Sequence, residues 1–262
     1  HTRLQGDWSS DVCSSDLVDS AFVLKVAHDV LGDRALGLTA LSPALPVEER
    51  EAAAALAREL GVAHALVDSH EIDDPNYAAN PINRCYFCKS ELYTVAQREA
   101  RARGFAVILN GTNLDDLGDH RPGLDAAREA NVRSPLVEAS FTKEDVRRCA
   151  RFVGLRVWDK PAAACLASRI PYGTSVTHER LRQIDRAEAA IRALGIRQLR
   201  VRYHDRLARV EVAQPEMDRA FALRLEIAAA CRAAGFAYAT LDLEGYRLGS
   251  HNEVVRLKVL NA

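Results

Sequence analysis

Residues 18–41 read VDSAFVLKVAHDVLGDRALGLTAL, and the order of elements within them decides the fold. Phe22, Val23, Val26, Ala27, Val30 and Leu31 recur at the spacing of one helical stripe. Asp19 or Ser20 stands where an N-cap belongs, and Gly32 where a helix stops. A strand over Ala35–Leu41 comes next. The spacing then predicts a helix over Pro46–Leu60, a strand over His64–Asp68, a helix over Tyr86–Arg103 and a strand over Phe105–Asn110. A further helix over Thr142–Val153 is opened by a capping-box pattern, Thr142 with Asp145. Such alternation means an α/β fold, a parallel sheet with crossover helices, yet it opens on a helix with no strand before it.

A doubly wound sheet places its nucleotide site at the carboxyl end of the first strand, against the first helix. Residues 7–17, DWSSDVCSSDL, occupy that place, nearly repeat Ser-Ser-Asp and have neither helical nor strand period. Residues 1–17 are therefore expected to be a non-native junction that replaces the true first strand, with the nucleotide-binding domain over 18–156. Past Trp158 the pattern changes. Helices over Val176–Leu194 and Asp218–Ala234, a hairpin of Gln198–Tyr203 with Ala208–Val212, and a strand over Tyr238–Leu243 predict a smaller α+β domain over 157–262.

Lys and Arg number 35 against 36 Asp and Glu, so no bulk charge draws the chain to nucleic acid or to an anionic membrane. No apolar run reaches the roughly 20 residues of a membrane span, and no signal-peptide order is present, so a cytoplasmic chain acting on small molecules is expected. Six cysteines in 262 residues are too few for a disulfide scaffold. Cys13, Cys149 and Cys231 stand alone and read as packing. Cys85 and Cys88 form a CxxC at a helix start beside Arg84 and Lys89, where the helix dipole and the two cations favour thiolate. Cys165, in the interdomain stretch, is a third candidate. Three thiolates with one open position suit a [4Fe–4S] cluster, zinc would usually want a fourth ligand, and spacing alone does not choose between them.

The loop Asn110–Gly123 follows a strand and is dense in short polar groups and glycine, as a ligand loop or a solvated turn would be. Arg200 and Arg202 lie two apart on a strand and share a face, as Arg209 and Glu211 do on its partner. Paired guanidiniums suit a phosphate or carboxylate, and cross-strand charge pairing explains them equally well.

Several strings together resemble the LarE family of ATP-dependent sulfur transferases in the PP-loop superfamily. They are Val18-Asp-Ser20, Arg84-Cys-Tyr-Phe-Cys-Lys89, Gly111-Thr-Asn113, Asp119-His-Arg-Pro-Gly123, Arg133-Ser-Pro-Leu136, Ser168-Arg-Ile-Pro-Tyr-Gly-Thr174 and Val201-Arg-Tyr-His204. The resemblance runs from Val18 nearly to the end. It implies a PP-loop (adenine nucleotide alpha hydrolase-like) sheet, and adenylylation by ATP and Mg²⁺ of a carboxylate of pyridinium-3,5-biscarboxylic acid mononucleotide. Sulfur then displaces AMP, giving the thiocarboxylate used in nickel-pincer cofactor synthesis. It further implies that Cys85, Cys88 and Cys165 hold a [4Fe–4S] cluster whose open iron carries sulfide. Asp19 and Ser20 would belong to the ATP loop. Asn113, Asp119 and Arg121 would line the cleft, and Arg200 and Arg202 would meet substrate or phosphate. Glu188, Glu211 and Asp218 would bind metal near the substrate phosphate, in a homohexamer supplied by sulfide or a sulfur donor. Where the family has Ser-Gly-Gly this chain has Ser15-Asp16-Leu17, which predicts weak or absent ATP turnover. The competing readings are a tRNA-thiolating relative, an ammonia-dependent synthetase of the same class, and a non-catalytic zinc-binding module.

Overall fold

A computed structural model describes residues 17–118, 122–161 and 163–247. It is a mixed helix and strand fold with a parallel sheet. Helix α1 (Leu17–Leu31) leads into β1 (Leu36–Leu41), α2 (Val47–Glu59) and β2 (Ala63–Asp68), and β1 pairs with β2 in parallel, Leu36 opposite Ala63. Then come the short α3 (Pro75–Ala78), the long α4 (Arg84–Arg103), α5 (Pro122–Glu129), α6 (Pro135–Glu138) and α7 (Lys143–Phe152). The capping box opens α7 as its sequence predicts: the Asp145 amide donates to Thr142 Oγ1 and the Thr142 amide to Asp145 Oδ2, both at 3.2 Å. No described helix is long and apolar enough to cross a membrane.

The C-terminal part packs α8 (His178–Ala193), α9 (Met217–Ala222) and α10 (Arg224–Ala233) with a sheet of β3 (Leu199–His204), β4 (Leu207–Val212) and β5 (Tyr238–Leu241). β3 and β4 form the expected antiparallel hairpin, turned at Asp205 with φ 56°, and β5 joins β4 in parallel. Leu199, Val201 and Tyr203 face the apolar core with Ile184 and Ile191 of α8. That core also takes in Ala44 and Tyr77, so packing crosses the expected boundary near residue 157.

Three expectations are corrected. Asp19 and Ser20 do not cap α1, because the helix already begins at Leu17 and Ser20 Oγ donates back to the Leu17 carbonyl at 3.3 Å. The helix expected over 218–234 is two helices, broken where Leu223 leaves helical geometry at φ −92° and ψ 18°. Residues 105–110 form no strand. They make one parallel bridge, Leu109 with Arg133, closed by Asn110 N to Arg133 O and Arg133 N to Ile108 O, each 3.0 Å. A ladder needs a neighbour along its whole length, and among the described residues this segment has one only at its end. Beside it runs an apolar groove lined by Phe22, Val23, Val26, Leu109, Leu136 and Phe141. The apolar stripe of α1 is buried at Phe22 and 73% exposed at Val30.

Candidate functional site

The first turn of α1, the loop that follows residues 105–110 and the start of α7 meet in one region. Asp19 is buried there, and its Oδ2 pairs with Lys143 Nζ at 2.5 Å, joining α1 to the start of α7. Asn113, also buried, organises the following loop: its amide donates to Asp116 Oδ2 and its Oδ1 accepts from the Asp115 amide, both at 3.0 Å. Asp115 Oδ2 in turn accepts from the Lys143 amide at 2.7 Å. A Cβ on Gly111 would stand 2.8 Å from the Ser20 amide nitrogen, so the loop can approach α1 only because residue 111 is glycine. Gly111→Ala is expected to cost about 1–3 kcal/mol through this backbone overlap, read as a lowered urea midpoint with an unchanged slope. Asp119 and Arg121 lie outside the described residues.

The CxxC lies where its spacing places it. Cys85 lies in the first turn of α4 and Cys88 opens the second, three residues on and on the same side of the helix. Cys165 precedes a 3₁₀ turn, Leu166–Arg169, that is tied to this helix. Arg84 Nη1 donates to the Ala167 carbonyl at 3.0 Å and to Asn80 Oδ1, and Asn80 Nδ2 reaches the carbonyls of Ile170, Pro171 and Thr174 at 2.8–3.2 Å. Leu166 N donates to the Ala44 carbonyl at 2.8 Å, which brings the same segment to the end of β1. Cys88 and Cys165 both pack against the core cluster that holds Tyr77. Among the described residues no group of three or more His, Cys, Asp or Glu side chains is assembled to hold a metal ion. The two remaining described cysteines match their packing role: Cys149 sits on the apolar cluster under α1 and α7, and burial pushes the Cys231 thiol up to about 11.

In the C-terminal sheet the alternation of β3 and β4 puts Arg200, Arg202, Arg209 and Glu211 on one face, with Arg200 opposite Glu211. The face is buried. Arg202 Nη2 pairs with Glu211 Oε2 at 2.9 Å and its Nη1 donates to the Ser168 carbonyl at 3.0 Å. Arg209 Nη2 pairs with Glu211 Oε1 at 3.0 Å, and Arg200 lies over the Tyr246 ring at 5.1 Å. Glu188 is fully buried. Its oxygens accept from Arg169 at 2.9 and 3.1 Å, from Arg192 at 2.9 Å and from the Val201 amide at 2.9 Å. Burial would raise the Glu188 carboxyl, but Arg169, with Arg200 and Arg192, overrides it and holds the group down at about 2. Asp218 stands apart on an exposed face of α9.

Sequence reading missed Lys143, Asn80, Tyr77 and Glu71. Glu71 is buried between the ends of β1 and β2, where it accepts from the hydroxyls of Ser42 and, at 2.5 Å, Ser69. Only the serine after each predicted strand could have pointed to it.

No family model matches the chain. It is 48% identical over 241 residues to an uncharacterized protein of Synechocystis, covering 91% of this chain and 90% of that protein. It is 29% identical over 168 residues to an uncharacterized protein of Methanocaldococcus jannaschii, 64% of this chain and 66% of that one. To the pyridinium-3,5-bisthiocarboxylic acid mononucleotide synthase of Lactiplantibacillus plantarum it is 37% identical over 245 residues, 93% of this chain and 89% of the synthase. Identity at this level along nearly the whole of both chains places this protein in the LarE-type family of pyridinium-3,5-bisthiocarboxylic acid mononucleotide synthases.

Proposed function

We propose that this chain is built as an ATP-dependent sulfur transferase acting on pyridinium-3,5-biscarboxylic acid mononucleotide. A substrate carboxylate oxygen attacks the α-phosphorus of ATP and pyrophosphate leaves. Hydrosulfide then attacks the activated carbonyl carbon, gives up its proton, and AMP departs with the electron pair of the C–O bond. A carboxylate is a poor acyl donor until its oxygen is made a good leaving group, which is why the first step comes before the second. The observation that carries this reading is the pinning of the Cys165 segment to the CxxC helix by Arg84, in a chain of this family.

In this reading the first turn of α1, with Asp19 and Ser20, faces the nucleotide, and Mg²⁺ offsets the phosphate charge. Asn113, Asp119 and Arg121 line the cleft. Arg200 and Arg202 take the substrate phosphate, while Glu188, Glu211 and Asp218 serve a cation beside it. Arg202 and Glu211 already pair with each other, so their recruitment exchanges that internal ion pair for phosphate and cation. A homohexamer is part of the same proposal.

Cys85, Cys88 and Cys165 fit a soft metal group in donor chemistry, and three thiols without a fourth protein ligand suit a [4Fe–4S] cluster better than zinc. Such a cluster would supply an open iron at which sulfide is held. Protein purified anaerobically is expected to contain about four iron and at least about four acid-labile sulfide per chain, lost in a triple Cys→Ser variant. Zinc, or no metal, would remove the cluster from the proposal and return the sulfur source to Cys165 itself.

The chain as it stands is proposed to turn ATP over weakly. Ser15 and Asp16 lie outside the described residues, and Leu17 opens α1 where a loop glycine would be needed. Leucine lacks the freedom of glycine to turn an amide onto phosphate, and an aspartate beside it repels that phosphate.

A further inference from the structure

The three thiols sit on two segments far apart in the chain, and one buried side chain bonds to both. Asn80 precedes the CxxC helix α4, is 0% exposed, and holds its backbone in the left-handed region at φ 55°. Both ends of its amide are used. Nδ2 donates to the carbonyls of Ile170, Pro171 and Thr174 at 3.2, 2.8 and 2.9 Å, so two N–H groups serve three acceptors. Oδ1 accepts from Arg84 Nη1, which also donates to the Ala167 carbonyl at 3.0 Å. Backbone bonds run alongside: the Gly173 amide donates to the Asn80 carbonyl at 3.0 Å and the Val176 amide to the Ala78 carbonyl at 2.8 Å.

Asn80 thus fastens the far half of the Cys165 segment directly, and through Arg84 the near half, two residues past Cys165. Arg84 is itself the residue before Cys85. Other bonds hold the same segment towards other elements: the Leu166 amide goes to the Ala44 carbonyl past β1, and Arg169 joins the Cys165 carbonyl to Glu188 of α8. The bonds of Asn80 and Arg84 orient it towards α4. Cys88 and Cys165 pack against the same apolar cluster. Since no three such ligands among the described residues are gathered about one point, a group that bonds all three thiols has to draw Cys165 in over the last distance. How far that is depends on where the segment is fastened.

We propose that Asn80 is a positioning residue for the sulfur site: its side-chain amide sets the Cys165 segment in register with the CxxC helix, so that three thiols rather than two can bond one atom. The inference rests on the three-thiol reading of Cys85, Cys88 and Cys165. Asn80 acts on those thiols from behind, as outer-shell partners act on metal ligands, so its effect is readable as thiol binding, without turnover.

The probe is arsenite, because one arsenic atom bonds three thiols with release of three waters and no change of oxidation state. The reduced full-length protein is titrated with arsenite and pulsed with an alkylating reagent, and the label at each cysteine is read by peptide mass spectrometry, for wild type, Cys165→Ser, Asn80→Gly and Asn80→Asp. Wild type is expected to protect Cys85, Cys88 and Cys165 together. Glycine keeps the left-handed backbone and removes the amide. Asn80→Gly should therefore need about 10- to 100-fold more arsenite to protect Cys165, with Cys85 and Cys88 covered as a pair, as in Cys165→Ser. Cys231, 0% exposed, stays unlabelled while the fold stands, which separates lost positioning from lost structure. If Asn80→Gly exposes Cys231, Asn80→Asp decides. That variant keeps an oxygen for Arg84 and loses the donors to the three carbonyls, so protection of Cys165 there at the wild-type arsenite concentration overturns the proposal. Equal protection of all three thiols in wild type and Asn80→Gly overturns the role of Asn80 and leaves the three-thiol reading standing. Protection of Cys85 and Cys88 alone in wild type overturns the three-thiol reading and this proposal with it.

Discussion

Replacing Glu188 by leucine lowers the unfolding free energy by about 3–5 kcal/mol, because the Arg169 guanidinium is then left buried without its carboxylate. Arg169 is 1% exposed, and its guanidinium also donates to the Ala164 and Cys165 carbonyls at 2.7 and 2.9 Å and to Ser168 Oγ at 3.0 Å, none of which carries a charge to replace the carboxylate. The Val201 amide loses its acceptor too, at the strand that carries Arg200 and Arg202. Pairing the change with Arg169→Met should recover a large part of the loss, since an apolar pair of similar volume replaces the ion pair. The pH dependence has a definite sign. A carboxyl held at about 2 in the folded protein, against its ordinary value of 4.5, adds stability above about pH 4.5 and loses it as pH falls through about 2. Urea unfolding at pH 7 and near pH 2.5 should therefore show the gap between wild type and Glu188→Leu narrowing in acid. A single-variant loss below about 1 kcal/mol at pH 7 would mean that the pair is not what holds α8 to β3.

Replacing residues 1–17 with an apolar strand of about six residues ending in Ser-Gly-Gly raises ATP-dependent pyrophosphate release by at least about 100-fold, the scale on which aligned amide donors act. Two effects contribute and can be separated. The strand fills the groove beside α1 and gives residues 105–110 a ladder partner, which should appear as slowed amide exchange there and a higher melting temperature. The glycines turn their amides onto the phosphates. A companion chain with the same strand but with Ser-Asp-Leu retained should gain the stability and little of the turnover. Equal pyrophosphate release by the chain as it stands and by the Ser-Gly-Gly chain would defeat the proposal that the loop is impaired.

Much of this protein was legible from local pattern. Helix α1, the strands β1, β3 and β4, the Thr142–Asp145 box and the CxxC at the head of α4 depend on neighbours a few residues apart, and the structure keeps each of them. The shared face of Arg200, Arg202, Arg209 and Glu211 is of the same kind, since strand geometry alone places alternate side chains together. Whether that face is open or buried is a different question. It depended on the Ser168–Arg169 segment, whose Ser168 carbonyl reaches Arg202 from 34 residues earlier in the chain, which no period announces.

The sequence by itself determined most of the helices and strands and which of their side chains share a face. The tertiary structure alone decided the company they keep: Asp19 with Lys143, Glu188 with Arg169, Asn80 with both cysteine segments, and residues 105–110 without a ladder. The reason is physical. Helix and strand patterns are set by backbone geometry over a few residues, whereas a buried charge or an incomplete strand is fixed by what the rest of the chain brings to it, and desolvation makes that partner decisive.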